Sequence, residues 1–152
     1  MSDSAPMKRL LGLDLGGTRV GLAISDELGL LAHPLETFPA ESEKKLMARI
    51  ATIVREKNIE QIVLGLPRNM DGSFGPAAEQ ALQFGEKLRA VVACPVVTWD
   101  ERLTTVAANR ALREAGHTTR TTRGQVDQVA AQMILQGYLD HLQLRRERQP
   151  AQ

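Results

Sequence analysis

Gly12-Leu13-Asp14-Leu15-Gly16-Gly17-Thr18-Arg19-Val20-Gly21 places one carboxylate, Asp14, near the end of an apolar run and follows it with a glycine pair. A second apolar run, residues 20–24, begins just beyond. The pattern predicts strand, tight turn, strand, with an acid exposed where the first strand ends. Glycines at such a turn let the backbone reverse sharply and let a bulky anion come close. Asp14 is therefore placed to hold a metal ion beside a phosphate. The same letters also fit a different phosphate-binding fold, so the rest of the chain has to decide.

Length and composition narrow the choice. The chain has 152 residues and is 43% hydrophobic but only 3% aromatic, so its core has to be built from Leu, Ile, Val, Met and Ala. A chain of about 150 residues buries roughly 68–70% of its unfolded surface. One domain over residues 7–144 is expected, with flexible tails at 1–6 and 145–152. Scarce rings argue against a single-strand binder built on stacking platforms. Net charge is +1, yet residues 101–152 carry eight arginines, no lysine and five acids. Arginine suits bidentate phosphate contacts, although a solvated helical face explains the same excess. The single cysteine, Cys94, excludes an intramolecular disulfide and a cysteine metal site. No run approaches the roughly 18 apolar residues of a membrane span, and residues 7–15 lack the layout of a signal peptide. A cytoplasmic location and no membrane partner are the resulting expectations.

Periodicity predicts the element order ββ(β)αβαβαα. Residues 9–15 and 20–25 read as a hairpin of buried strands, and 30–38 as a weaker strand interrupted by Pro34. Residues 42–58 read as a helix, with Leu46, Ile50, Ile53 and Val54 at helical spacing between an N-cap at Ser42 and a stop at Asn58. The all-apolar run 62–66 suits a parallel strand buried on both faces. A loop dense in turn formers spans 67–75, with Asp71-Gly72 as a turn, and Pro76 opens a helix to about residue 92. Residues 95–99 form another strand, closing on Asp100-Glu101. A helix is expected over 104–115, stopped by Gly116, then a polar stretch, then a last helix over 125–144. Strands alternating with helices predict an α/β fold, a central mixed five-stranded sheet flanked by helices. Sites in such sheets lie at the C-terminal ends of the parallel strands.

Three acids from distant parts of the chain fall at those ends. Asp14 closes the first strand, Glu101 with Asp100 beside it closes the last, and Asp127 opens the final helix next to its apolar stripe. Carboxylates without His or Cys support favour hard cations such as Mg²⁺ or Mn²⁺. Two such ions about 3.5–4 Å apart can activate a water and stabilise the leaving oxygen of a phosphodiester. Adjacent strand residues face opposite sides, so Asp100 and Glu101 do not serve a metal equally; Asp100 reads as a fourth ligand or as a capping acid. Asp127 also reads as an ordinary acid of a helix first turn.

These residues resemble the YqgF (RuvX) family, whose Holliday-junction-resolvase-like members belong to the RNase H-like superfamily. Four blocks carry the resemblance across about residues 8–140. The first is Gly12-Leu13-Asp14-Leu15-Gly16 with Arg19, Gly21 and Ser25-Asp26, and the second is Gly65-Leu66-Pro67 with Asp71-Gly72. The third and most specific is Asp100-Glu101-Arg102-Leu103-Thr104-Thr105. The fourth is Val126-Asp127 with Ala130-Ala131, Leu135-Gln136 and Tyr138-Leu139. The resemblance implies an RNase H-like fold and a nuclease using two Mg²⁺ or Mn²⁺ ions, with Asp14, Glu101 and Asp127 as catalytic acids and metal ligands. Its usual assignment is maturation of the 5′ end of the 16S ribosomal RNA precursor; an earlier one is Holliday junction resolution. The family often has lysines before the last acid, where this chain has Arg123-Gly124-Gln125.

Arg19, Arg102, Arg120 and Arg123 are the candidate phosphate contacts, each of which also reads as a solvated or internally paired arginine. His33, His117 and His141 are isolated and are assigned no metal role, and Trp99 reads as packing. Three other functions compete with ribosomal RNA processing. A Holliday junction resolvase would act on branched DNA as a dimer, whereas an RNA nuclease works as a monomer or homodimer. A non-catalytic RNA-binding assembly or transcription factor would keep the acids without cutting. An actin-like or sugar-kinase-like ATPase would use Leu13 to Thr18 as a phosphate loop, but it needs two domains and a second Asp-Gly loop, for which the chain is short.

Overall fold

The computed structural model describes residues 9–16, 18–103 and 123–148, and within the last stretch the side chains of residues 129–145. The described elements are β1 (Arg9–Leu15), β2 (Arg19–Ser25), β3 (Ala32–Pro39), α1 (Glu43–Glu56), β4 (Ile59–Leu66), α2 (Pro76–Arg89), β5 (Val96–Asp100), a 3₁₀ turn (Glu101–Leu103) and α3 (Arg123–Arg148). The helix expected over 104–115 lies outside the described residues, as does Arg120.

The strands form one five-stranded sheet in the order β3-β2-β1-β4-β5. β1 pairs antiparallel with β2 and β2 with β3, while β4 runs parallel to β1 and β5 parallel to β4. The mixed sheet expected from the sequence is present, and the boundaries differ in instructive places. β4 starts at Ile59, three residues before the all-apolar run, because Ile59 and Gln61 pair with Arg9 and Leu10. Pro34 does not break β3. That strand lies at the sheet edge, where a missing N–H costs no ladder bond, and the register shifts between Leu22 and Ala23 opposite it. Both ends of α1 follow the local chemistry: Ser42 accepts a hydrogen bond from the Lys45 N–H at 3.2 Å, and Asn58 turns the chain out at φ 54°.

Alternation along the strands divides the side chains between two layers. Leu11, Leu13, Leu22, Ile62 and Leu64 pack with Ile50 and Ile53 of α1 and Leu88 of α2. Leu10, Ala23 and Val63 pack on the opposite face with Ala130, Ala131, Ile134 and Leu135 of α3. Trp99 belongs to this second layer, its ring edge-on to Tyr138 at 6.0 Å, so it packs as expected. Cys94 packs at the margin of the first layer, and burial pushes its thiol pKa up.

Candidate active site

Asp14 is the penultimate residue of β1 and sits opposite Gly21 of β2. Two residues earlier, a Cβ on Gly12 would lie 2.8 Å from Leu135 Cβ and 3.1 Å from the Ala131 carbonyl, so Gly12 faces α3. By alternation Asp14 faces the same way. The sequence predicts an exposed acid here; the structure corrects that to a carboxylate with 0% exposure. A strand end is open only as long as nothing crosses it. Here β2 and β4 flank β1, and α3 comes down onto the bare backbone of Gly12.

Glu101 reaches the same face from the β5 edge of the sheet. β5 ends at Asp100, and Glu101 opens the 3₁₀ turn with only 2% exposure. Its Oε2 lies 2.8 Å from where a Cβ on Gly65 would stand, and Ile134 Cδ1 of α3 occupies the same space. Gly65 follows Leu64, which pairs with Leu13, so it is the neighbour of Asp14 across β1 and β4. The Glu101 carboxylate therefore lies over β4, the strand paired with the one that carries Asp14. Gly65 carries no functional group that would single it out beside the acids. Its signal was present, since glycine inside an apolar strand marks a close approach.

Asp100 takes the opposite course. Trp99 packs toward α3, so Asp100, its neighbour, belongs to the other side, level with Leu66 of β4. The Arg102 guanidinium donates to both Asp100 oxygens, through Nε at 3.1 Å to each and through Nη2 at 2.7 Å to Oδ2. Arg68 Nη1 approaches Oδ2 at 3.4 Å. The Arg102 side-chain hydrogen bond holds the Asp100 carboxyl below the usual carboxylate range, against the opposing effect of partial burial. Arg102 is thus spoken for by a carboxylate in this structure. Arg19 begins β2 on the face of Gly21 and Asp14 and is partly exposed.

Asp127 and Arg123 lie in the N-terminal turns of α3. Asp127 precedes Ala131 by four residues and Ile134 by seven, which puts it on the helical stripe whose later members cover Gly12 and Gly65. The side chains of both residues lie outside those described.

A hard divalent cation fits the chemistry of the buried donors: two carboxylates, no sulfur and no imidazole. The bare Gly65 backbone gives the Glu101 carboxylate room on that face. Among the described side chains no group of three possible ligands is complete. Asp14 and Glu101 are two carboxylates on one face of the sheet, and the side chain of Asp127 is outside the described residues.

A sequence model of the RuvX family, described as Holliday junction resolvase, matches residues 8–141. The chain belongs to the RuvX family. A relative from Halalkalibacterium halodurans is 47% identical over 139 residues, covering 90% of this RuvX-family chain and 99% of its own length. One from Moorella thermoacetica is 48% identical over 134 residues, covering 88% and 96%. Both carry the provisional name pre-16S rRNA nuclease. Among solved structures, Thermus thermophilus RuvC in complex with a Holliday junction substrate matches with a TM-score of 0.55 at 18% identity, over 90% of this chain and 96% of RuvC. The yeast mitochondrial Holliday junction resolvase matches at 0.54 and 14%, over 96% of this chain and 85% of that protein. Likeness at that identity concerns the fold: the RuvX chain shares the RNase H-like architecture.

Proposed function

We propose that this RuvX-family chain is a divalent-metal-dependent nuclease that processes the 16S ribosomal RNA precursor in the cytoplasm. The observation that carries the reading is the pair of buried carboxylates, Asp14 on β1 and Glu101 after β5, on the one sheet face that α3 covers. The names of the closely related chains support the substrate. Among the described residues no helix is long and apolar enough to cross a membrane.

Asp14, Glu101 and Asp127 would hold one or two Mg²⁺ or Mn²⁺ ions. Bound there, the ions would supply Lewis-acid activation of water and charge stabilisation at the phosphodiester. Asp14 and Glu101 are held in place before substrate arrives, by a strand paired on both sides and by the seat over Gly65. That preorganisation spares reorganisation during the reaction. Arg19, at the start of β2 on this face, would orient a substrate phosphate, with Arg120 and Arg123 as further contacts. Arg102 would serve the substrate only by giving up part of its pairing with Asp100. The products expected are 3′-hydroxyl and 5′-phosphate ends.

The test compares wild type and Asp14→Asn, each with Mg²⁺ or Mn²⁺, on a 16S precursor fragment and on a four-way DNA junction. Metal-dependent cutting of the precursor fragment, lost in Asp14→Asn with nucleic acid binding retained, is the expected result. Preferential symmetric cutting of the junction would instead favour resolution of branched DNA, the activity in the family's description. Binding without cutting by the wild type would indicate an RNA-binding assembly factor.

A further inference from the structure

The neighbours Asp100 and Glu101 leave β5 in opposite directions, and something has to hold that divergence. The Asp100 carboxylate does more than pair with arginines. Its Oδ1 accepts the Arg102 backbone N–H at 2.9 Å, closing the first turn of the 3₁₀ segment that carries Glu101. Short polar side chains cap turns in this way and set the direction in which the chain leaves a strand. The same carboxylate reaches into the loop that follows β4. Arg68, which approaches Asp100 Oδ2, also donates through Nε to the Gly72 carbonyl at 3.0 Å and lies 4.7 Å over the Phe74 ring. Arg102 Nη1 lies 3.3 Å from where a Cβ on Gly72 would stand, so the two arginines pack against the same turn. Asp100 is 17% exposed and the arginine side chains 29% and 28%, which shields the cluster more than an ordinary surface pair.

We propose that Asp100 is a positioning residue for Glu101: its carboxylate caps the 101–103 turn and ties it, through Arg102 and Arg68, to the loop after β4, so that Glu101 is held over Gly65. Groups behind a metal ligand commonly orient it and tune affinity by about ten- to a hundredfold. The inference rests on reading Glu101 as a metal ligand, and Glu101→Gln tests that reading separately.

The experiment measures Mn²⁺ binding by electron paramagnetic resonance in the full chain without nucleic acid, alongside cleavage as a function of Mn²⁺ concentration. Asp100→Ala is expected to weaken Mn²⁺ binding about tenfold, the scale of one lost charge-assisted hydrogen bond, with cleavage recovering at saturating Mn²⁺. Asp100→Asn keeps an oxygen for the Arg102 N–H and is expected to restore most of the affinity. Arg68→Ala, which touches Asp100 but not the acid pair, shifts the Mn²⁺ dependence in the same direction by a smaller factor. The inference is overturned by Mn²⁺ affinity unchanged in Asp100→Ala while Glu101→Gln loses it, or by cleavage absent in Asp100→Ala at every Mn²⁺ concentration, which would make Asp100 a ligand. Wild-type Mn²⁺ binding in Glu101→Gln removes the metal reading of Glu101 and the inference with it. If Asp100→Ala fails to fold, Arg68→Ala decides, and an unchanged Mn²⁺ dependence there overturns the proposal.

Discussion

On one face of the sheet α1 and α2 bury Leu11, Leu13, Leu22, Ile62 and Leu64 under further large aliphatics. On the other face α3 lies over Gly12 and Gly65 and packs with Ala23, and both buried carboxylates of the described residues, Asp14 and Glu101, sit there. The first face is filled with volume, which stabilises the fold at about 25 cal/mol per Å² of apolar surface buried. The second gives up side-chain volume so that a helix backbone can approach, and it carries the two buried carboxyl groups. The difference teaches that stability and chemistry are assigned to opposite sides of the same strands. Leu64 and Gly65, consecutive in β4, mark the division.

The largest expected effect is on the α3 face. Asp14→Asn should reduce metal-dependent cleavage roughly a thousandfold or more. Its melting temperature without metal should stay near that of wild type, because the amide keeps the size of the carboxylate and one carbonyl acceptor. Mn²⁺ at about a hundred times its dissociation constant should stabilise the wild type by about 2.7 kcal/mol, seen as a higher melting temperature, and should do so far less in the variant. A variant that loses its fold along with its activity would break the division between the faces.

Leu64→Ala asks the converse. A fully buried leucine removed from the α1/α2 side should cost about 2–5 kcal/mol, seen as a lower denaturation midpoint. Cleavage per folded molecule should stay near wild type. Gly65→Ala, one residue on, should do both things moderately. The added methyl meets Ile134 and the Glu101 carboxylate. Overpacking of this kind costs about 1–3 kcal/mol, and displacement of Glu101 should lower cleavage about tenfold or more at limiting metal. If cleavage is untouched, Glu101 is not seated where its function requires.

The smallest effect belongs at the far end of the sheet. Asp26 accepts the Leu30 N–H at 2.8 Å in the hairpin between β2 and β3. That bond holds its carboxyl below the ordinary 3.8. A carboxyl with a depressed folded pKa adds stability that is present above its unfolded pKa and lost as pH falls through the folded one. Asp26→Asn should therefore flatten the acid limb of the stability curve below about pH 4 and leave cleavage unchanged, as melting and cleavage assays across pH would show.

Much of this was legible in advance for local reasons. Ser42 and Asn58 bound α1 through their own backbone preferences, and alternating apolar residues set the strand faces. Parity alone separated Asp100 from Glu101. Pro34 misled less than it threatened, because edge position, which no local window contains, decides whether a strand tolerates proline. Asp14 was read as exposed because its cover comes from elements distant in sequence. Arg102 was read equally as a phosphate contact and as the partner of a nearby acid, and the turn that brings its side chain onto Asp100, two residues away, selects the second in this structure.

By itself the sequence determined the order of the described elements and the mixed sheet through periodicity and turn chemistry, and the family and the candidate acids Asp14, Glu101 and Asp127 through its motifs. The tertiary structure decided that Asp14 is buried, that Gly65 seats Glu101, and that Asp100 faces away into a pair of arginines. Those outcomes depend on which surfaces β4, β5 and α3 bring within a few ångströms of one another, and contacts between residues far apart in the chain are set by packing rather than by local preference.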